Sequence, residues 1–191
     1  MKSQLTLEQK YDYYERSVQT AEGEVEFMRA EFKRFYGRVP FIFREDFCGT
    51  GAMSCNWVEQ DKNAESYAVD LDPEPIKMGH IRHLSKLDKK QQKRVHYMQK
   101  NVMSVKTPKV DVVCAFNFSY FIFKSRKQLL QYFKAVRKSL QKQGVFYLDI
   151  FAGPKMENRR GESVLFMLSL PWSIFVDQLK FDGLQFGFPF L

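Results

Sequence analysis

Gly49 and Gly51 stand in the run Glu45-Asp46-Phe47-Cys48-Gly49-Thr50-Gly51, between a β-prone stretch, Phe41-Ile42-Phe43, and a helix-prone one, Ala52 to Gln60. Strand, tight turn and helix N-terminus in that order make a ligand-binding corner. Glycine has no Cβ, so the backbone at both positions can take positive φ and a cofactor can lie against it. Asp70 comes 19 residues after Gly51, at the end of a second apolar run, Tyr67-Ala68-Val69. A carboxylate there can accept both hydroxyls of a ribose. These residues predict the binding of a nucleoside cofactor.

The elements that must hold them can be read from periodicity and punctuation. Thr6 with Gln9 forms a capping box, and Tyr11, Tyr14 and Val18 follow at helical spacing. Val25, Met28, Phe32 and Phe35 mark a second helix, closed by Gly37 and Pro40. Strands are then expected at 41–46, 66–71, 95–100, 110–117 and 145–151. Helices are expected at 52–61, from Pro73 onward, and at 126–141 with Gly144 ending the last. Asp72 reads as the cap of the helix that opens at Pro73; the competing assignment gives that role to Asp70. Alternating strands and helices predict an α/β sandwich with a parallel sheet and the ligand beyond the strands' carboxyl ends. After Gly153-Pro154 the alternation stops. Short strands at 164–170 and 174–180 are the only elements the tail suggests.

Composition narrows the class. The 191 residues are 45% hydrophobic and 27% charged, as in an ordinary globular protein. A chain of this length suggests one domain, burying roughly 70% of its unfolded surface. Cys48, Cys55 and Cys114 lack zinc-type spacing, so no metal site is expected; they read as reduced thiols of a cytoplasmic protein. The longest apolar stretch, 164–176, is interrupted by Pro171 and too short to span a bilayer. The net charge of +8 favours an acidic partner. Lys86 to Lys100 holds five Lys and one Arg against Asp88 alone, which reads as a solvated face or as a nucleic-acid contact.

The stretch from Glu45 to Ser54 resembles the first motif of class I S-adenosylmethionine-dependent methyltransferases, an acid followed by Gly-x-Gly-x-Gly. Phe47 stands where the family usually has its first glycine. Ala68-Val69-Asp70-Leu71-Asp72 resembles the second motif. The resemblance covers Arg44 to about Gly153 and extends to Asp72-Pro73-Glu74-Pro75 and Asn117-Phe118-Ser119-Tyr120. It implies a Rossmann-like three-layer sandwich with a mainly parallel sheet, an N-terminal helical lid and an incomplete or atypical carboxyl end. The corresponding divisions are a helical cap (1–40), a cofactor domain (41–153) and a tail (154–191).

The same resemblance implies S-adenosyl-L-methionine as cofactor and a role for each matched residue. Glu45, Phe47, Cys48, Gly49 and Gly51 would form the turn against it. Asp70 would hold the ribose and Leu71 would pack on the adenine. Asn101 would accept from the adenine amino group and Val102 would donate its N–H to the ring; the alternative is an Asn turn that merely ends the strand. Asn117 would border the transferred methyl. Tyr14, Phe118 and Tyr120 would line the acceptor pocket, or else pack the core. No catalytic base is legible, and the methyl acceptor, any partner chain and the oligomeric state are not specified. Three rival readings stand: a catalytically inactive cofactor-binding or scaffold protein, an NAD-dependent oxidoreductase, and a nucleic-acid-binding module. The tail is expected to pack poorly and to leave the edge beside the fourth and fifth strands incompletely covered, with methyl transfer weak or absent.

Overall fold

The computed structural model describes residues 5–18, 20–152 and 164–171. From the N-terminus the elements are α1 (Leu7–Val18), α2 (Ala21–Tyr36), β1 (Ile42–Asp46), α3 (Ala52–Glu59), β2 (Glu65–Asp70), α4 (Pro73–Arg82), α5 (Lys89–Gln92), β3 (Val95–Gln99), β4 (Val110–Ala115), α6 (Arg126–Ser139), β5 (Leu140–Ala152) and β6 (Val164–Pro171). One sheet runs in the order β3-β2-β1-β4-β5-β6. The first five strands pair in parallel and β6 pairs antiparallel with β5. The expected α/β sandwich with a mainly parallel sheet is present.

Alternation along each strand sorts the side chains onto two faces. On one face Phe43 of β1 stacks on Trp57 of α3 at 4.6 Å, and Val25, Met28 and Phe32 of α2 are wholly buried beside them. On the other face Leu129, Tyr132, Phe133 and Val136 of α6 bury against Val113, Ala115 and Phe146. Every residue of β4 is buried, as its nearly all-apolar sequence requires of a strand covered on both faces; its one charge, Asp111, is met by Arg38 and by the Phe41 and Ile42 N–H groups. The strand order reverses between β1 and β4, whose neighbours lie on opposite sides. The crevice beyond their carboxyl ends is where such a sheet binds its ligand.

Two expectations are corrected. Gly144 does not end α6. The helix stops at Ser139, Leu140 is already extended, and β5 begins there. Leu140 pairs with Val110 and Val145 with Val112, so β5 bulges between them with Gly144 inside the bulge. Gln141, Lys142 and Gln143 favour a helix; burial of Leu140 against the sheet overrides that preference. The edge beyond β5 is also not bare. The expected strand at 164–170 is Val164–Pro171, and it pairs with β5 from Val145↔Pro171 to Ala152↔Val164. An antiparallel partner departs from the parallel strand-helix rhythm, so rhythm alone conceals its pairing. The strand expected at 174–180 lies outside the described residues. Among the described residues no helix is long and apolar enough to cross a membrane.

Candidate functional site

The turn after β1 is built on three constraints at alternate positions. Phe47, Gly49 and Gly51 have φ of 57°, 54° and 68°. Phe47 thus takes the left-handed conformation that the glycine in its place would take. That costs a non-glycine residue about 1–2 kcal/mol. Its ring is held against Phe123 and Tyr132, at 6.1 and 5.7 Å between centroids. The turn is then tied to β2: Cys48 N–H donates to the Val69 carbonyl at 3.0 Å and Gly49 N–H to Asp70 Oδ2 at 2.8 Å. Asp70 Oδ1 accepts from Asp72 N–H at 2.9 Å. A carboxylate offers about four lone-pair positions, so each oxygen retains one for a ribose hydroxyl. Asp72 accepts from Glu74 N–H and caps α4.

The two glycines do different work. A Cβ on Gly49 would meet nothing within 4 Å, so its face is open to a ligand. A Cβ on Gly51 would lie 2.7 Å from the Tyr97 ring, and one on Gly79 of α4 would lie 2.0 Å from the Thr50 carbonyl oxygen. Tyr97 Oη donates to that same carbonyl at 2.7 Å. Turn, β3 and α4 therefore meet with no room for a methyl group. Cys48 is buried, and burial raises its thiol well above the usual range. Only its backbone can serve a cofactor.

Glu45 is 1% exposed. Its Oε2 accepts from Ser54 N–H at 2.9 Å and Ser54 Oγ at 2.6 Å, whereas Oε1 is buried without a partner. Burial pushes the carboxyl up to about 8 despite the Ser54 bonds. An orphaned acceptor at the end of β1 fits a cationic group. Glu24 of α2 also has a buried oxygen without a partner; burial, then the charge of Asp149, pushes it up to about 7.

The remaining expected residues ring this centre. Leu71 is 61% exposed beside Asp70. Lys100 N–H donates to the Asp70 carbonyl at 2.9 Å, so the loop after β3 adjoins the end of β2. In that loop Asn101 Oδ1 accepts from Met103 N–H at 2.8 Å, an Asn turn that leaves its amide N–H groups for other use. Val102 is buried and its carbonyl accepts from Arg44 Nη2 at 2.7 Å. Beyond β4, Asn117 and Phe118 both take positive φ, 56° and 53°. Phe118 N–H donates to both oxygens of Asp149 at 3.0 and 3.1 Å. Two adjacent strained residues clamped by one buried carboxylate are the kind of backbone found at ligand sites. Tyr120 is 3% exposed and donates its hydroxyl to the Asp149 carbonyl, which places it in the core beneath the loop.

α1 reaches the site through polar contacts. Glu15 accepts from Thr50 Oγ1 at 2.7 Å and from Arg82 Nη2 at 2.9 Å, and pairs with His83 at 2.8 Å. Burial works against the Glu15 carboxylate, but these hydrogen bonds outweigh it and hold the group at about 2. Tyr11 and Lys10 bond Glu74 of α4. Tyr14 is raised above the usual phenol range by burial and by the charge of Asp70. The Tyr14 side chain is itself half exposed.

Arg44, Asp46, Tyr132, Glu15 and Asp149 escape the reading of the sequence. For Arg44, Asp46 and Asp149 the signal is faint but present, a charged residue inside an apolar strand; Tyr132 and Glu15, on α6 and α1, carry no such signal. Arg44 and Asp46 sit in Phe41-Ile42-Phe43-Arg44-Glu45-Asp46, and Asp149 in Phe146-Tyr147-Leu148-Asp149-Ile150. A charge placed there requires a partner.

Comparison with known proteins agrees with this geometry. The Methyltransferase domain family matches residues 48–146, just over half of the chain. The chain belongs to that family. A crystal structure of an S-adenosylmethionine-dependent methyltransferase from Clostridium acetobutylicum ATCC 824 superposes with a TM-score of 0.63 at 19% identity, over 84% of this chain and 78% of the other. The glycopeptide N-methyltransferase MtfA, complexed with S-adenosylmethionine, gives 0.57 at 16%, over 78% and 66%. The sugar N-methyltransferase KedS8 from Streptoalloteichus sp ATCC 53650 gives 0.60 at 19%, over 77% and 55%. At these identities the likeness is one of fold. The chain spans just under two thirds of MtfA and about half of KedS8. No curated protein sequence matches it.

Proposed function

We propose that this chain binds S-adenosylmethionine in the crevice between β1 and β4 and transfers its methyl group to an acceptor. The observation that carries the reading is the union of Gly49 and Asp70: an open backbone face hydrogen-bonded to a carboxylate with acceptor positions to spare. The orphaned Glu45 Oε1 matches the ammonium of the cofactor's amino-acid end. Asp70 holds the ribose, Leu71 and the Asn101-Val102 loop border the adenine, and Asn117 borders the sulfonium end. The bound cofactor supplies a methyl group already activated by its positive sulfur. The protein's own part is position and electrostatics. Tyr14, half exposed on the helix that Glu15 ties to Thr50, covers the ribose, and Phe118 with its strained backbone faces the acceptor.

The acceptor is a small molecule or chain of unidentified class; the net charge of +8 favours an acidic one. Three free, buried cysteines support a cytoplasmic setting. Calorimetry with S-adenosylmethionine, S-adenosylhomocysteine and NAD tests the reading. Both adenosyl-sulfur compounds are expected to bind and NAD is not. A folded protein that binds neither of the first two at millimolar concentration would falsify it.

A further inference from the structure

Arg44 is 1% exposed and Asp46 equally buried, two residues apart on the α6 face of β1. Arg44 Nε donates to Asp46 Oδ1 at 2.6 Å and Nη2 to Oδ2 at 3.0 Å. Tyr132 Oη of α6 donates to Asp46 Oδ2 at 2.8 Å. Nη2 of Arg44 also donates to the Val102 carbonyl. Stability does not account for this cluster. A buried ion pair roughly breaks even against apolar residues of the same shape. Its connections are what distinguish it. β1 and β3 are separated by β2, yet Arg44 crosses that gap to grip the loop after β3. The Tyr132 ring at the same time backs Phe47, whose positive φ shapes the turn after β1.

We propose that Arg44, Asp46 and Tyr132 form a positioning unit that fixes both walls of the nucleoside cleft, and that through Val102 it sets recognition of the adenine 6-amino edge. The proposal rests on the cofactor reading above. Asp46 locks the guanidinium in one plane, which a lysine ammonium cannot reproduce. The guanidinium holds the Val102 carbonyl inward, while Val105 N–H and Ser104 N–H close the loop onto the Asn101 carbonyl at 2.9 and 3.0 Å. The base-facing edge of that loop is thereby fixed before any ligand arrives. None of the three residues touches the cofactor; they act through Val102 and Phe47.

The test compares S-adenosylhomocysteine with S-inosylhomocysteine, in which a carbonyl replaces the 6-amino group. Calorimetry on the full chain reads the affinity ratio. Arg44→Lys keeps the charge that neutralises Asp46, and Tyr132→Phe removes one donor; both are chosen because they leave no buried carboxylate alone. Tyr147→Phe is the control, a buried tyrosine on the opposite face whose hydroxyl bonds the Met28 carbonyl. The native chain is expected to prefer S-adenosylhomocysteine by about tenfold, the equivalent of one hydrogen bond. Arg44→Lys should bring the ratio close to one, Tyr132→Phe should reduce it, and Tyr147→Phe should leave it unchanged. A native ratio near one, an unchanged ratio in Arg44→Lys, or an equal loss in Tyr147→Phe overturns the proposal while the cofactor reading survives. Failure of the native chain to bind either compound overturns the cofactor reading itself.

Discussion

The backbone N–H of Gly49 donates to Oδ2 of Asp70 at 2.8 Å, so the acid that ends β2 also locks the glycine turn that ends β1. The two motifs, 21 residues apart, are one hydrogen-bonded object. Removing Asp70 therefore has two consequences. Asp70→Ala should lose cofactor affinity by about 1.5–3 kcal/mol, through lost charge-assisted bonds, and should also loosen the turn. Asp72→Ala should cost about 1 kcal/mol of stability through the α4 cap and leave affinity nearly unchanged. Calorimetry and thermal melts on both variants separate these effects. Equal affinities would show that the ribose is held elsewhere.

Glu45 should make the proposed cofactor site sensitive to pH. A carboxyl held at about 8 in the folded chain, against an ordinary value of 4.5, binds its proton more tightly folded than unfolded. Its contribution to stability therefore declines as pH rises from about 4.5 to about 8. A cation at Oε1 favours the carboxylate. Binding S-adenosylmethionine at pH 7 should thus release a proton from Glu45. Glu45→Gln should flatten the stability decline and remove that release. Calorimetry in buffers of different ionisation enthalpy measures it, and identical proton release in both proteins would count against the assignment.

Phe47 yields a prediction of unusual sign. Phe47→Ala loses the ring contacts with Phe123 and Tyr132 and retains the strained φ of 57°. Phe47→Gly loses the same contacts and relieves the strain. The glycine variant should be the more stable of the two by about 1 kcal/mol, the reverse of the usual order. Urea titration of the pair decides; the usual order would mean that the turn relaxes when the ring is removed.

Gly79→Ala should drive α4 from the turn, since the new Cβ would fall 2.0 Å from the Thr50 carbonyl oxygen. A loss of about 1–3 kcal/mol and weaker cofactor binding are expected. Gly23→Ala in α2 meets nothing within 4 Å and should gain roughly 0.5–1 kcal/mol. Melting curves of the two alanine variants should move in opposite directions. A Gly79→Ala protein as stable as the native chain would refute the close approach.

Local signals carried much of the protein. The nearly all-apolar, β-branched run 110–115 reads as a strand covered on both faces, and Pro73 behind Asp72 reads as the first turn of a capped helix. The Gly-x-Gly turn and its distance to Asp70 were legible because positive φ and an acid at a strand end are requirements of residue type. The tertiary structure alone decided what pairs with what. It gave Phe47 the glycine conformation by packing its ring on α6, started β5 at Leu140 through burial against β4, and returned β6 antiparallel along β5. It also brought Arg44 to Val102 and Glu15 to Thr50. These are contacts between residues 58 and 35 positions apart. Periodicity reports which face a residue occupies, but not which neighbour the fold will set opposite it, because that neighbour is chosen by packing across the sheet.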